Sequence, residues 1–321
     1  MRLIVLITAT FFVAFTSLAD SLRLEGQSFK TFAPIVWAAT NLLPKTITVY
    51  KTERQAFSDE AISNLLAFAS FKKTGVQISA DKKTLHWEAR NEQDALIRSL
   101  DITPSVGWIN YFNSDAQEQS TNAARGVPQV EQVKILAAQC LQKLGGDTNQ
   151  LSFHPASGTE EHRTLYDKKP WKGGHIILDD YTMRGIMLTR QIDGVRFNGA
   201  SGRGGIAVDF GTDGRIAKLQ LVWQKLAQWK TFPIATPDEI IAMIKNGRGV
   251  LPSEQSADLG PLPGAVKITI KAISPRYWGE TGGQRQDFVY PFAIIDAEAR
   301  LDGTNTLPFT VECPIISPNS K

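Results

Sequence analysis

The side chains best suited to metal or acid–base chemistry crowd one stretch of the chain: His154, Glu160, Glu161 and His162, with His175 close behind. Neutral imidazoles and carboxylates together make a zinc ligand set. His154, Glu161 and His162 are therefore the metal candidates. Their spacing matches no helical zinc motif, and Pro155 and Gly158 put them on a loop. A solvated loop with incidental histidines accounts for them as well, so no metal or other cofactor is expected.

Three other motif matches fail on their context. Ser70-Phe71-Lys72-Lys73 fits Ser-x-x-Lys and Lys73-Thr74-Gly75 fits Lys-Thr-Gly, two parts of a penicillin-recognising site. Here they overlap on Lys73, whereas that chemistry needs them on separate elements that converge. Gly202-x-Gly204-x-x-Ala207 mimics a dinucleotide loop, but it precedes the strand pattern Ile206, Val208, Phe210 instead of opening a helix. His86, beside Trp87 in a strand pattern, reads as a structural or rim residue. No serine is marked out for activation by a His–Asp pair. No catalytic residue is assigned, and the chain is expected to bind and not to catalyse.

Binding chemistry has better candidates. Trp171 lies beside Gly173-Gly174, and Arg276-Tyr277-Trp278 follows Pro275. Both are expected in loops, where a rigid aromatic supplies contact area for a partner or stacks on a sugar ring. The glycine-rich excursion around Arg203 is a third such loop. Trp171, Arg203, Arg276, Tyr277 and Trp278 are thus the expected binding residues, on loops 171–174, 198–205 and 276–283. The same aromatics could instead fold back over a sheet edge. Of the other tryptophans, Trp87, Trp108 and Trp223 are expected in strands and in the core.

Several elements must carry these loops. Ser58 is an N-cap ahead of Asp59 and Glu60, and Ile62, Leu65, Leu66 and Ala69 recur at helical spacing. Pro128 suits the start of a second helix with the stripe Val130, Val133, Ala137, Cys140, Leu141 and Leu144, ended by Gly145-Gly146. Thr236-Pro237-Asp238-Glu239 is a capping box opening a third. Strand signals occupy 46–50, 76–79, 84–90, 106–112, 266–273, 287–295 and 307–311. The clearest pair is Ile206, Val208, Phe210 and then Ala217, Leu219, Leu221, Trp223, each alternating, around the turn Gly211-Thr212-Asp213-Gly214.

Residues 1–19 are expected to be a cleavable signal peptide. Arg2 gives a positive start, 3–18 is nearly all apolar, and Ser17-Leu18-Ala19 precedes Asp20. The run, broken by Thr8, Thr10, Thr16 and Ser17, falls short of the ~20 apolar residues of a spanning helix. The protein is thus expected to be secreted or periplasmic, with no transmembrane segment after cleavage. A formal net charge of +3, spread over scattered lysine doublets, makes nucleic acid a poor partner. Cys140 and Cys313 could form one bridge in an oxidising compartment, or Cys140 could be a free thiol on the apolar face of its helix.

Residues 190–226, RQIDGVRFNGASGRGGIAVDFGTDGRIAKLQLVWQKL, join a strand ending in Arg-Gln-x-Asp-Gly-Val to a glycine-rich excursion and a strand pair closed by tryptophan. This layout resembles PepSY-type domains and YycH/YycI-type extracytoplasmic regulators. The resemblance implies an α+β fold of tandem helix-on-antiparallel-sheet units, PepSY- or cystatin-like, and carries no catalytic residues. With the breaks in composition, it divides the chain into a signal peptide (1–19), an N-terminal α+β unit (20–126), a PepSY-like unit (127–250), and a Pro/Gly-rich linker with a β-rich segment (251–321). The implied function is an exported binding or regulatory protein that restrains a protease or a sensor ectodomain. A cell-envelope hydrolase and a glycan-binding protein are the alternatives.

Overall fold

The computed structural model describes residues 24, 26–41, 43–53, 57–72, 74–80, 83–116, 127–152, 162–166, 181–198, 205–252, 264–279, 286–301 and 305–320. The chain opens with β1 (Gln27–Phe29), β2 (Ile35–Trp37) and β3 (Thr46–Thr52), followed by α1 (Asp59–Phe68). A run of strands comes next: β4 (Gln77–Ile78), β5 (Leu85–Arg90), β6 (Leu96–Thr103) and β7 (Trp108–Asn113). After α2 (Val130–Lys143) come β8 (Leu151–Ser152), β9 (His162–Tyr166), β10 (Tyr181–Ile192), β11 (Val195–Asn198), β12 (Gly205–Phe210), β13 (Ile216–Val222) and β14 (Leu226–Pro233). The last elements are α3 (Pro237–Lys245), β15 (Gly249–Leu251), β16 (Lys267–Trp278), β17 (Phe288–Val289), β18 (Pro291–Arg300) and β19 (Thr306–Pro314).

Tandem helix-on-antiparallel-sheet units of the PepSY or cystatin kind are not what this chain forms. It is mostly β, with a large mixed sheet and three α-helices among the described residues. Two parallel pairings, β2 with β16 and β11 with β16, join segments far apart in the chain. Local periodicity carries no information about such pairings. The chain divides into two compact units, neither of them contiguous: residues 1–47, 232–273 and 293–321 in one, 48–231 and 274–292 in the other.

In the larger unit, β4, β5, β6, β7, β13, β12 and β10 are neighbours in that order and pair antiparallel. The registers sort the side chains into rows. Trp87, Leu100, Tyr111, Leu219, Val208 and Ile186 stand opposite one another across six strands, as do Leu85, Ile102, Ile109, Leu221, Ile206 and Leu188. All but the half-buried Leu85 are buried, and they form one cluster with Leu65, Leu66 and Ala69 from α1 and its end and with Val133, Ala137, Leu141 and Leu144 from α2 and its end. Each such side chain taken from water is worth about 1.5–3 kcal/mol. The intervening row is His86, Asp101, Asn110, Gln220, Ala207 and Met187, every member at least partly exposed to solvent. Strand alternation alone makes one face dry and the other wet.

Local signals set the ends of the elements. The Ser58 hydroxyl accepts from the Ala61 N–H at 3.1 Å, capping α1 as expected. Gly145, at φ 79°, lets the Gly146 N–H reach back to the Leu141 carbonyl at 3.0 Å and close α2. Between β12 and β13, the Gly211 N–H bonds the Arg215 carbonyl at 2.8 Å, and a Cβ on Gly211 would lie 1.8 Å from the Ala116 carbonyl oxygen. That close approach requires glycine.

In the smaller unit, α3 starts from the capping box the chain predicts. Thr236 Oγ1 accepts from the Glu239 N–H, and Glu239 Oε2 accepts from the Thr236 N–H at 2.8 Å. Ile240, Met243 and Ile244 are buried on one side of the helix. β15 pairs with β1 on one side and β19 on the other, and Phe29 meets Phe309 edge-on at 5.4 Å. Along β18, Ala293, Ile295, Ala297 and Ala299 alternate inward, while Glu298 meets Lys271 of β16 at 2.8 Å.

Candidate functional site

The candidate site is a pocket in the larger unit, at the seam between α1 and α2. Asn64, Leu65 and Phe68 of α1 form one wall; Leu136, Gln139, Cys140 and Lys143 of α2, with Leu144, form the other. Phe210 of β12, Ile216 of β13 and Gly214 of the turn between them make the floor. The volume is about 310 Å³, at the lower end of the range for small-molecule sites. Each helix turns its main stripe to the sheet, and neither stripe fills the angle between the two helices. Phe68 is 46% exposed at the lip, and its ring lies 5.9 Å from that of Tyr111. Leu136, Gln139 and Gly214 also border a shallower hollow that runs along α2 toward Pro128 and Ile135.

Cys140 contributes packing here and no reactivity. Burial pushes its thiol up to about 11, with Lys143 pulling weakly the other way, so it is protonated at neutral pH. Cys140 and Cys313 are both free thiols, and burial raises Cys313 to about 12.

The wet face of the same sheet holds the best-defined titrating group. His86 Nδ1 lies 2.6 Å from Asp101 Oδ1, and His86 Nε2 lies 3.5 Å from Glu88 Oε2. Partial burial lowers the affinity of the ring for a proton, but the Asp101 hydrogen bond and charge, helped by Glu88, raise it further. The net result is a pKa above the ordinary histidine value. With a carboxylate at each ring nitrogen, the imidazole is not placed to take a proton from a hydroxyl nucleophile. Among the described residues, no group of three or more His, Cys, Asp or Glu side chains could hold a metal ion.

A second charged group is fully structural. Arg190 is 5% exposed, with Nε donating to Gln150 Oε1 at 2.7 Å and Nη1 to the Gln224 carbonyl at 2.6 Å. Its guanidinium sits 4.6 Å from the Trp223 ring centroid and 5.2 Å from that of Phe197. Burial lowers its pKa to about 10, which leaves it charged at neutral pH. The stack continues from Phe197 to Tyr277 at 5.3 Å and from Tyr277 to Tyr50 at 5.5 Å. The Tyr50 hydroxyl donates to Asp193 Oδ2 at 2.8 Å, and the Tyr277 hydroxyl to the Thr48 carbonyl at 2.9 Å. Burial and Asp193 push Tyr50 up to about 12, and burial raises Tyr277 as well. The Arg-Gln-x-Asp-Gly-Val-x-Phe run thus ties the β10–β11 turn to β3 and β16.

That arrangement corrects one expectation. Arg276, Tyr277 and Trp278 are not a loop; they end β16 and pair in parallel with Arg196, Phe197 and Asn198 of β11. Tyr277 and Trp278 are 1% and 4% exposed, and Trp278 packs edge-on against Phe292 at 5.7 Å. Neither ring is presented to a partner. Arg276 is half-buried and donates to the Pro275 carbonyl at 2.8 Å. Pro275 suggests a loop because proline interrupts a ladder, yet a strand tolerates it where no ladder N–H is needed. Trp171, Arg203, His154, Glu160, Glu161 and His175 lie outside the described residues. His162 is described in its backbone only, at the start of β9 opposite Ile186.

The pocket escaped the sequence reading because Phe68 and Leu136 stand just off the stripes assigned to their helices. An aromatic at the end of α1, on neither the apolar stripe nor a cap, is the signal that was there to find.

No family model matches the chain, and no curated protein matches it. The resemblance of residues 190–226 to PepSY and YycH/YycI proteins therefore has no support from these comparisons. A solved structure of an uncharacterized protein from Eubacterium rectale is similar over 90% of this chain and 89% of its own, at 11% identity and a TM-score of 0.44. At that level of similarity nothing is carried over to this chain.

Proposed function

We propose that the protein is an exported binding protein without chemistry of its own, and that its ligand occupies the pocket between α1 and α2. The observation that carries this reading is the pocket itself: an apolar hollow of about 310 Å³, rimmed by Asn64, Gln139 and Lys143, with Phe68 exposed at its lip. A concave, largely apolar site with a few polar groups at its edge is the usual form of a small-molecule site. The groups most suited to catalysis are engaged otherwise. Cys140 is protonated, His86 lies between two carboxylates, and Arg190 is held by two acceptors and two rings.

The test is titration with N-phenyl-1-naphthylamine, a neutral probe that brightens in apolar surroundings. Saturable binding at one site per chain is expected, weakened at least tenfold by Leu136→Trp, which fills the pocket. No saturable binding, or equal affinity in a Leu136→Trp protein with an unchanged circular dichroism spectrum, would overturn the reading. Export rests on the apolar leader at residues 1–19. The exported chain is expected to begin at Asp20 by intact mass, and an unprocessed chain retained in the cytosol would remove this part of the proposal.

A further inference from the structure

We infer that the pocket takes an anionic amphiphile, a carboxylate on an acyl or aryl body, with the apolar part between α1 and α2 and the carboxylate at Lys143. This rests on the pocket being a ligand site, as proposed above. Leu65, Phe68, Leu136, Leu144, Phe210 and Ile216 supply a wall and floor suited to hydrocarbon. Lys143 is the only charged side chain among the described lining residues, and no described carboxylate pairs with it. It stands one helical turn from Cys140 in the last turn of α2 and borders the same pocket. Gln139 and Asn64, one from each helix, flank the same opening with further hydrogen-bond donors.

The charge decides the class. A neutral apolar ligand would leave Lys143 without a partner, and a cationic one would face it directly. A carboxylate complements the ammonium while its chain covers the apolar wall. Lys143 also lies in the last turn of α2, where a cation offsets the negative end of the helix dipole. An anion is tolerated there only while that lysine is charged, so the preference depends on one side chain.

The experiment displaces N-phenyl-1-naphthylamine from the full chain with decanoate and, separately, with 1-decanol. Decanoate is expected to bind about fivefold more tightly, on the order of 1 kcal/mol, the range for a solvent-accessible ion pair. Lys143→Gln is expected to erase that preference and leave decanol unchanged. Raising the salt concentration should narrow the gap in the native protein and not in the variant. Equal displacement by the two ligands, or a preference that survives Lys143→Gln, overturns the inference. If the probe binds but neither ligand displaces it, the ligand class falls and the pocket stands. If the probe itself does not bind, both fall.

Discussion

One sheet in the larger unit has two faces made from alternate residues of the same strands, and the two respond to different physics. On the covered face, Leu100, Leu219 and Val208 stand in a row beneath α1 and α2, all but excluded from water. One residue away on each strand, Asp101, Gln220 and Ala207 form the open row, in which His86 bonds to Asp101. The covered face holds the unit together. The open face contributes little to stability but changes its charge with pH. The lesson is that position within the two-residue repeat, not position along the chain, decides what a substitution does.

The sharpest way to break this comparison is to truncate two adjacent residues of β13. Leu219→Ala is expected to cost about 2–5 kcal/mol by lost burial and the cavity left behind. Gln220→Ala, its neighbour, should stay within about 0.5 kcal/mol. Urea unfolding followed by far-ultraviolet circular dichroism measures both, and similar losses at the two positions would mean that the faces are not distinct.

A smaller effect sharpens the description of the open face. His86 has a raised pKa in the folded protein, so its stabilising contribution is complete below the ordinary histidine value and disappears as pH rises through the folded one. The stability difference between native protein and His86→Asn should therefore shrink between pH 6 and pH 8. Its size should be no more than about 1 kcal/mol, as for other partly exposed pairs. A difference that grows with pH would mean that the carboxylates at Asp101 and Glu88 do not hold the ring as described.

What the amino-acid order made readable was local. Ser58, Gly145, and the pair Thr236 and Glu239 mark helix ends through hydrogen bonds that span only a few residues, and all of them appear in the structure. The β12–β13 hairpin was equally plain, since its turn and its alternation sit side by side. The fold class was not readable. The expected architecture lays its helices on antiparallel sheets in tandem units, whereas the chain is mostly strand, and β16 takes parallel partners in β2 and β11 from distant segments. Tyr277 and Trp278 were misplaced for the same reason: their burial depends on β11, Tyr50 and Phe292, none of which is a sequence neighbour. The pocket was hidden because helical periodicity says which side of a helix is dry but not which other helix stands beside it.

The smaller unit draws its strands from residues 1–47, 232–273 and 293–321. β1 pairs with β15 and β15 with β19, so a ladder begun at residues 27–29 is finished only when residues 306–314 arrive. Until then β15 lacks its β19 neighbour and Phe29 lacks Phe309. Bringing such distant segments together costs loop-closure entropy before any contact repays it, which makes this unit slow to assemble. No single proteolytic cut or truncation releases it as one continuous fragment. Made in order along the chain, these strands stay an open template until residue 314 is out, and their premature folding is delayed by topology alone.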